Sequence, residues 1–277
     1  PCIQLRGNPN SRYILSIDPS FSSSKASDNF QIMLHLLNDE ERTITQVHTY
    51  GVAGADLKDH LNYFYYLVNN FNIVFIIADL QGENNNFITT ANESFIFAKT
   101  NLKLEFIEGD FDSVDYMQEV TKAKNNYNLT NKKICYRQKF MSDWIRKANE
   151  HLQTQIDKGK IRFASKLLSH NNLVEKVLED SKLPEYKDKN GKPVEYRDKN
   201  GKEMDILDFV SLQDEWIVQT KAQIALIEPK TTVNGVMQFD LPQNLKRSKN
   251  PERARKDAYS CTLMGSWGAK CYWDMTY

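Results

Sequence analysis

Three short segments each bring a carboxylate to a place where surrounding structure could hold it. Tyr13-Ile14-Leu15-Ser16-Ile17-Asp18 and Ile73-Val74-Phe75-Ile76-Ile77-Ala78-Asp79 are apolar runs that end in Asp, and Arg253-Ala254-Arg255-Lys256-Asp257-Ala258-Tyr259-Ser260 reads as the start of a helix. If folding gathers Asp18, Asp79 and Asp257, their oxygens form a hard ligand set suited to Mg²⁺ or Mn²⁺. Three carboxylates within a few ångströms repel one another, so without a cation at least one takes up a proton or is forced away. Two divalent ions about 4 Å apart can activate a water, hold a scissile phosphate and stabilise a leaving 3′-oxygen. Taken singly, each acid has a bland reading. Asp18 before Pro19 can start a turn, Asp79 can cap one, and Asp257 can complement a helix dipole. Their combination points to metal-dependent phosphodiester chemistry.

The elements that would position these acids are visible in the periodicity. Tyr13 to Asp18, Phe30 to Leu37 and Thr43 to Tyr50 read as three strands, with a polar loop from Ser20 to Asp28 and a turn at Asn38-Asp39-Glu40-Glu41. Leu57, Leu61, Phe64, Tyr65 and Val68 recur at helical spacing, and the run from Ile73 to Asp79 has the continuous apolar character of a strand buried on both faces. Glu83 to Lys99 predicts a second helix and Leu102 to Ile107 a fifth strand. The order βββαβαβ is that of an RNase H-like α/β sheet: three antiparallel strands, then parallel crossovers, flanked by helices. A right-handed crossover returns the fourth strand beside the first, so Asp18 and Asp79 fall at neighbouring strand ends, where open α/β sheets bind ligands.

Residues 130–245 read as a basic helical and β-hairpin insertion within one domain spanning 1–277. Lys132 to Lys166 holds ten Lys/Arg against three Asp/Glu. Lys160 to Ala164 is a short strand candidate, and Tyr186 to Lys192 recurs as Tyr196 to Lys202, each copy carrying the Asn-Gly pair of a tight hairpin. Ile206 to Ile227 predicts a helix, Val233-Asn234-Gly235-Val236 a second hairpin turn, and Asp257 to about Cys271 a helix that packs on the sheet. Just before that helix, Lys246, Arg247, Lys249, Arg253, Arg255 and Lys256 stand against the single acid Glu252. An isolated charge run is usually a solvated linker. Beside a candidate metal ligand, a phosphate-binding track is the better use.

Ser16-Ile17-Asp18-Pro19-Ser20 with Asp28 after the loop, Ile77-Ala78-Asp79, and Arg255-Lys256-Asp257-Ala258-Tyr259-Ser260-Cys261-Thr262-Leu263 resemble the three acidic motifs of the nuclease domain of tailed-bacteriophage large terminase subunits. Asp157 to Phe163 and Gly235 to Pro242 are similar in style, so the resemblance spans nearly the whole chain. It implies an RNase H-like endonuclease that uses two Mg²⁺ or Mn²⁺ ions to cut concatemeric viral double-stranded DNA during packaging, in the cytoplasm of the infected bacterial host. By motif, its metal acids map to Asp18, Asp79 and Asp257, with Asp28 as an auxiliary metal acid. Implied partners are double-stranded DNA, an N-terminal packaging ATPase domain, the small terminase subunit and the portal. No Gly-x-x-x-x-Gly-Lys-[Ser/Thr] occurs here, and the Asp-Lys-Asn-Gly-Lys repeat has no counterpart in the resemblance.

The remaining composition sets bounds. The 277 residues suffice for a substantial core, and Lys/Arg and Asp/Glu balance at 36 each, so any nucleic-acid binding rests on local basic surface. Cys2, Cys135, Cys261 and Cys271 are scattered, which suggests neither a zinc site nor a disulfide framework. The opening Pro1 suggests a domain cut from something longer or a processed product. Glu83, Asp110, Asp112 and Asp115 are secondary ligand candidates, and His170 is a minor candidate near the cut site. Two alternatives share part of this reading. A junction resolvase or transposase-type nuclease would use the same acids on branched or end-specific DNA. A non-catalytic DNA-binding assembly module would keep the acids for structure.

Overall fold

The two apolar runs that end in Asp form neighbouring strands at the centre of the sheet. The computed structural model describes residues 2–20, 28–79, 84–94, 103–108, 114–130, 132–165, 206–232, 235, 237–246 and 255–277. β1 (Tyr13–Asp18) pairs antiparallel with β2 (Phe30–Asn38), and β2 with β3 (Thr43–Val52). The turn between β2 and β3 closes through Arg42 in the left-handed region, φ 48°. α1 (Leu57–Asn70) carries the chain back, so that β4 (Ile73–Asp79) enters on the free side of β1 and parallel to it. Then follow α2 (Asn84–Glu93), β5 (Lys103–Glu108), α3 (Val114–Thr130), β6 (Lys132–Gln138), α4 (Ser142–Asp157) and β7 (Ile161–Phe163). The sheet has seven strands in the order β5-β6-β4-β1-β2-β3-β7. An antiparallel meander joined to parallel crossovers, with β4 beside β1, makes this an RNase H-like α/β fold.

α5 (Ile206–Leu226), a hairpin of β8 (Glu228–Thr231) and β9 (Met237–Asp240), the short α6 (Gln243–Lys246) and α7 (Asp257–Thr276) complete the described elements. Among the described residues, no helix is long and apolar enough to cross a membrane. The predicted hairpin around Gly235 is present, with that residue at φ 76°. The repeat at 186–205 lies outside the described residues.

Two strands exceed the five expected. β7 is the short candidate at Ile161, and it lines up parallel to the outer strand of the meander, Ile44 opposite Ile161. β6 was hidden, because Lys132, Lys133 and Arg137 make its stretch read as basic helix. It instead slots between β4 and β5, where distant partners accept its charges. Lys133 is buried and its Nζ donates to the Ile73 carbonyl at 3.2 Å, while Arg137 ion-pairs with Glu108 and lies 4.7 Å over the Phe106 ring. Such contacts leave no trace in a local pattern.

Each face of the sheet carries a core. One contains Tyr13, Leu15, Ile17, Phe30, Ile32 and Leu34 under α1, α2 and α5. The other contains Ile14, Met33, Phe75 and Ile77 under α3, α4 and α7. α7 is buried nearly all round, from Asp257 to Ala269, as a helix laid across the middle of a sheet must be. Glycines permit the approach. A Cβ on Gly265 would lie 2.2 Å from Nε2 of the buried His35, and one on Gly268 would lie 3.1 Å from Ile77 Cγ2. Gly265→Ala is therefore expected to destabilise the protein by about 1–3 kcal/mol, although alanine favours helix by about 1 kcal/mol. Thermal melts check this, and a melting temperature equal to or above the parent's would refute the tight contact.

Because β7 covers only Ile44 to Gln46, the rest of the β3 edge needs another cover. α5 supplies it. Gln213 Oε1 accepts the Thr49 N–H at 2.7 Å, and Gln46 Nε2 donates to Thr220 Oγ1 at 3.2 Å. The same helix reaches His48 through Tyr63. His48 Nδ1 faces the Gln4 carbonyl at 2.8 Å and must donate to it, so Nε2 accepts from the Tyr63 hydroxyl. Tyr63 in turn accepts from Gln213 Nε2 at 3.3 Å.

Candidate active site

Asp18 and Asp79 each end a strand, and the parallel register that sets Ile17 opposite Ala78 places them side by side. Gln31 on β2 is the cross-strand partner of Asp18, and Gln138 on β6 is that of Asp79. Opposed residues share a sheet face, so Gln138, Asp79, Asp18 and Gln31 form a polar row across four adjacent strands. Asp79, Gln31 and Gln138 are buried, and Asp18 is half-buried.

The first turn of α7 stands over this row. The Cys261 thiol donates to the carbonyls of Ser16 and Gln31, 3.8 and 3.4 Å away, seating the helix on β1 and β2. Asp257, buried at the helix start, accepts the Asn29 N–H at Oδ2 over 2.7 Å. Ser260, one turn on, gives its hydroxyl to Asp18. The tertiary structure thus joins the chain before β2, the end of β1 and the start of α7.

The electrostatics show how much negative charge has been gathered. Burial pushes the Asp18 carboxyl well above the usual carboxylate range, Asp257, Asp79 and Asp28 push it further, and the Ser260 hydroxyl opposes them. Asp257 is raised to about 7, first by burial and against the Asn29 hydrogen bond, with Asp28 raising it and Arg255 and Lys256 lowering it. The Cys261 thiol is held protonated by burial and by the fields of Asp18 and Asp257. Near neutral pH these acids do not all ionise unless positive charge is supplied.

Asp18 therefore lies within the fields of both Asp79 and Asp257, and the exposed Asp28 acts on both Asp18 and Asp257. Among the described residues, no group of three or more His, Cys, Asp or Glu is arranged to hold a metal ion. Oxygen donors and excess negative charge nonetheless match the chemistry of a hard divalent cation. Of the predicted basic track, Arg255 and Lys256 are half-buried beside Asp257, and Lys256 Nζ is 3.5 Å from Asp240 Oδ1. Lys246 ends α6, while Arg247, Lys249 and Arg253 lie outside the described residues. Glu83, Asp110, Asp112 and His170 also lie outside them, and Asp115 is exposed in the first turn of α3.

Neutral residues complete the site and escaped sequence reasoning. Ser260 sits at i+3 from Asp257, on the same helical face, which was a usable signal. Gln31 and Gln138 had none, since each gains its place only by strand pairing. Among the described residues Gln138 Oε1 is buried without a hydrogen-bond partner, opposite Asp79 on the neighbouring strand.

No protein-family model matches the chain, and no curated protein does either. Among solved structures it is similar to the large terminase nuclease from thermophilic phage G20c, at 9% identity over 94% of this chain and 83% of that one, with a TM-score of 0.42. It is also similar to the large terminase subunit of bacteriophage Sf6 with calcium, at 10% identity over 92% and 87% of the two chains and a TM-score of 0.41. A nuclease domain of the same Sf6 subunit with manganese has a TM-score of 0.39 at 10% identity, again over 92% and 87%. All three of these solved structures are of phage large terminases, two of them described as the terminase's nuclease.

Proposed function

We propose that this chain is a divalent-metal-dependent endonuclease that hydrolyses phosphodiester bonds of double-stranded DNA and cuts concatemeric viral genomes during packaging. One observation carries the reading. Asp18 at the end of β1 lies in the fields of Asp79 from β4 and Asp257 from α7, at the carboxyl ends of the central strands, where burial already disfavours its charge. The short acidic motifs add to this argument.

Asp18, Asp79 and Asp257 would hold two Mg²⁺ or Mn²⁺ ions, which supply Lewis-acid activation of water and neutralise charge at the phosphate when bound. The chain's own residues do the rest. The Asn29 amide fixes one oxygen of Asp257, the Ser260 hydroxyl orients Asp18, and Arg255 brings positive potential to the side where a phosphate would approach. Lys256, held by Asp240, adds a second positive charge. The packaging ATPase, the small terminase subunit and the portal are the proposed partners, and the infected bacterial cytoplasm is the proposed place of action.

Incubating supercoiled plasmid with the protein in Mn²⁺, Mg²⁺ or EDTA tests this directly. Nicked and linear products should form with either metal, vanish with EDTA and fall steeply as salt rises. Metal-insensitive binding without strand scission would instead leave a DNA-binding module.

A further inference from the structure

α7 begins without a cap of its own. Lys256 occupies the N-cap position at φ −134° and ψ 14°, and its side chain makes no capping hydrogen bond. The amides of Ala258 and Tyr259 nevertheless have an acceptor. Both donate to Oε1 of Gln223 on α5, at 2.9 and 3.2 Å. A side chain more than thirty residues earlier thus performs the task usually given to Ser, Thr, Asp or Asn at the helix start.

The helix that carries Gln223 is itself anchored. Gln213, Ile217 and Thr220 are fully buried, and with Gln223 they recur at helical spacing along one face. Gln213 and Thr220 bind β3, so the position of Gln223 is referred to the same sheet that carries Asp18 and Asp79. Asp257 sits immediately before the two amides that Gln223 holds, and its carboxylate is tied on the other side to Asn29.

We infer that Gln223 is a positioning residue that sets Asp257 in register with Asp18 and Asp79 by capping α7 from α5. The inference rests on the proposed nuclease reading for its functional consequence but not for its structural content. Without the cap the first turn loosens, and the Asp257 carboxylate no longer meets the Asn29 amide and its fellow acids together. Serine or aspartate at position 256 would have capped the helix locally. The sequence instead places a lysine there, leaving α5 to hold the turn.

Two variants separate this from a general loss of fold. Gln223→Met keeps size and removes the acceptor, whereas Gln223→Glu keeps an acceptor oxygen at the helix start. Amide hydrogen exchange on the metal-free protein should show roughly tenfold faster exchange at Ala258 and Tyr259 in Q223M. The same should hold at Asn29, which does not touch Gln223, and Q223E should return all three toward the parent rates. A simple capping defect would leave Asn29 unchanged, and that result overturns the inference. In parallel, Mn²⁺ affinity measured by electron paramagnetic resonance should weaken about tenfold or more in Q223M, with plasmid nicking falling alongside. If the parent protein neither binds Mn²⁺ nor cuts DNA, the nuclease reading fails, while the Asn29 exchange still decides the positioning role.

Discussion

On the proposed nuclease reading, replacing Asp18, Asp79 or Asp257 with Asn is expected to lower metal-dependent plasmid nicking by about a thousandfold or more, because each change would remove a charged metal ligand. The same substitution at Asp257 should stabilise the metal-free protein. Asn keeps an oxygen for the Asn29 amide and removes a charge that burial disfavours, with Asp28 adding to the penalty. A group raised from near 4 to about 7 binds its proton more readily in the folded state, so its ionisation opposes folding as pH rises through that window. The penalty is about 4 kcal/mol once pH exceeds 7, equivalent to several degrees in melting temperature. Asp257→Asn should therefore melt well above the parent at pH 8 in EDTA and converge on it toward pH 4. Metal should raise the parent's melting temperature more than the variant's. An Asp257→Asn protein that still nicks plasmid at the parent rate would remove this residue from the chemistry.

Acid should unfold the protein through a different set of groups. His35, His48 and His60 are buried, and burial lowers each to about 4. Burial is what holds each neutral, and it outweighs the Gln4 carbonyl, which favours protonated His48, and the Ala55 backbone and Asp56, which favour protonated His60. The unfolded chain takes up these protons near pH 6.5 and the folded chain only near 4, so stability present above 6.5 is lost as pH falls through this range. Each histidine accounts for about 3 kcal/mol, so together they rival the whole stability of an ordinary domain. Asp18 and Asp257 work in the opposite direction, gaining stability on acidification. Denaturant titrations at pH 7.5, 5.5 and 4.5 should consequently show a steeper acid loss in Asp257→Asn than in the parent. A flat profile in that variant would mean that the histidines are not held neutral in the fold.

The central half of this architecture was legible because its elements are dictated locally. β1 and β4 are apolar runs that stop at a carboxylate, α1 repeats at helical spacing, and the βββαβ order leaves one sensible place for β4. The neighbouring placement of Asp18 and Asp79 followed, since strand order alone sets these two strand ends side by side. What stayed hidden depends on partners far along the chain. β6 looks basic until Lys133 meets the Ile73 carbonyl, and α5 gives no hint that Gln223 caps another helix. The glutamines flanking the acids are ordinary polar residues until strand pairing lines them up.

The seating of Cys261 on the Ser16 carbonyl joins positions 245 residues apart. A nascent chain emerging from the ribosome can form the meander early, since those strands are neighbours in sequence, but it holds only two of the three acids until α7 has been synthesised. Assembly of the trio therefore comes after the meander has formed, and a product truncated before α7 lacks the third carboxylate even where it keeps the central strands.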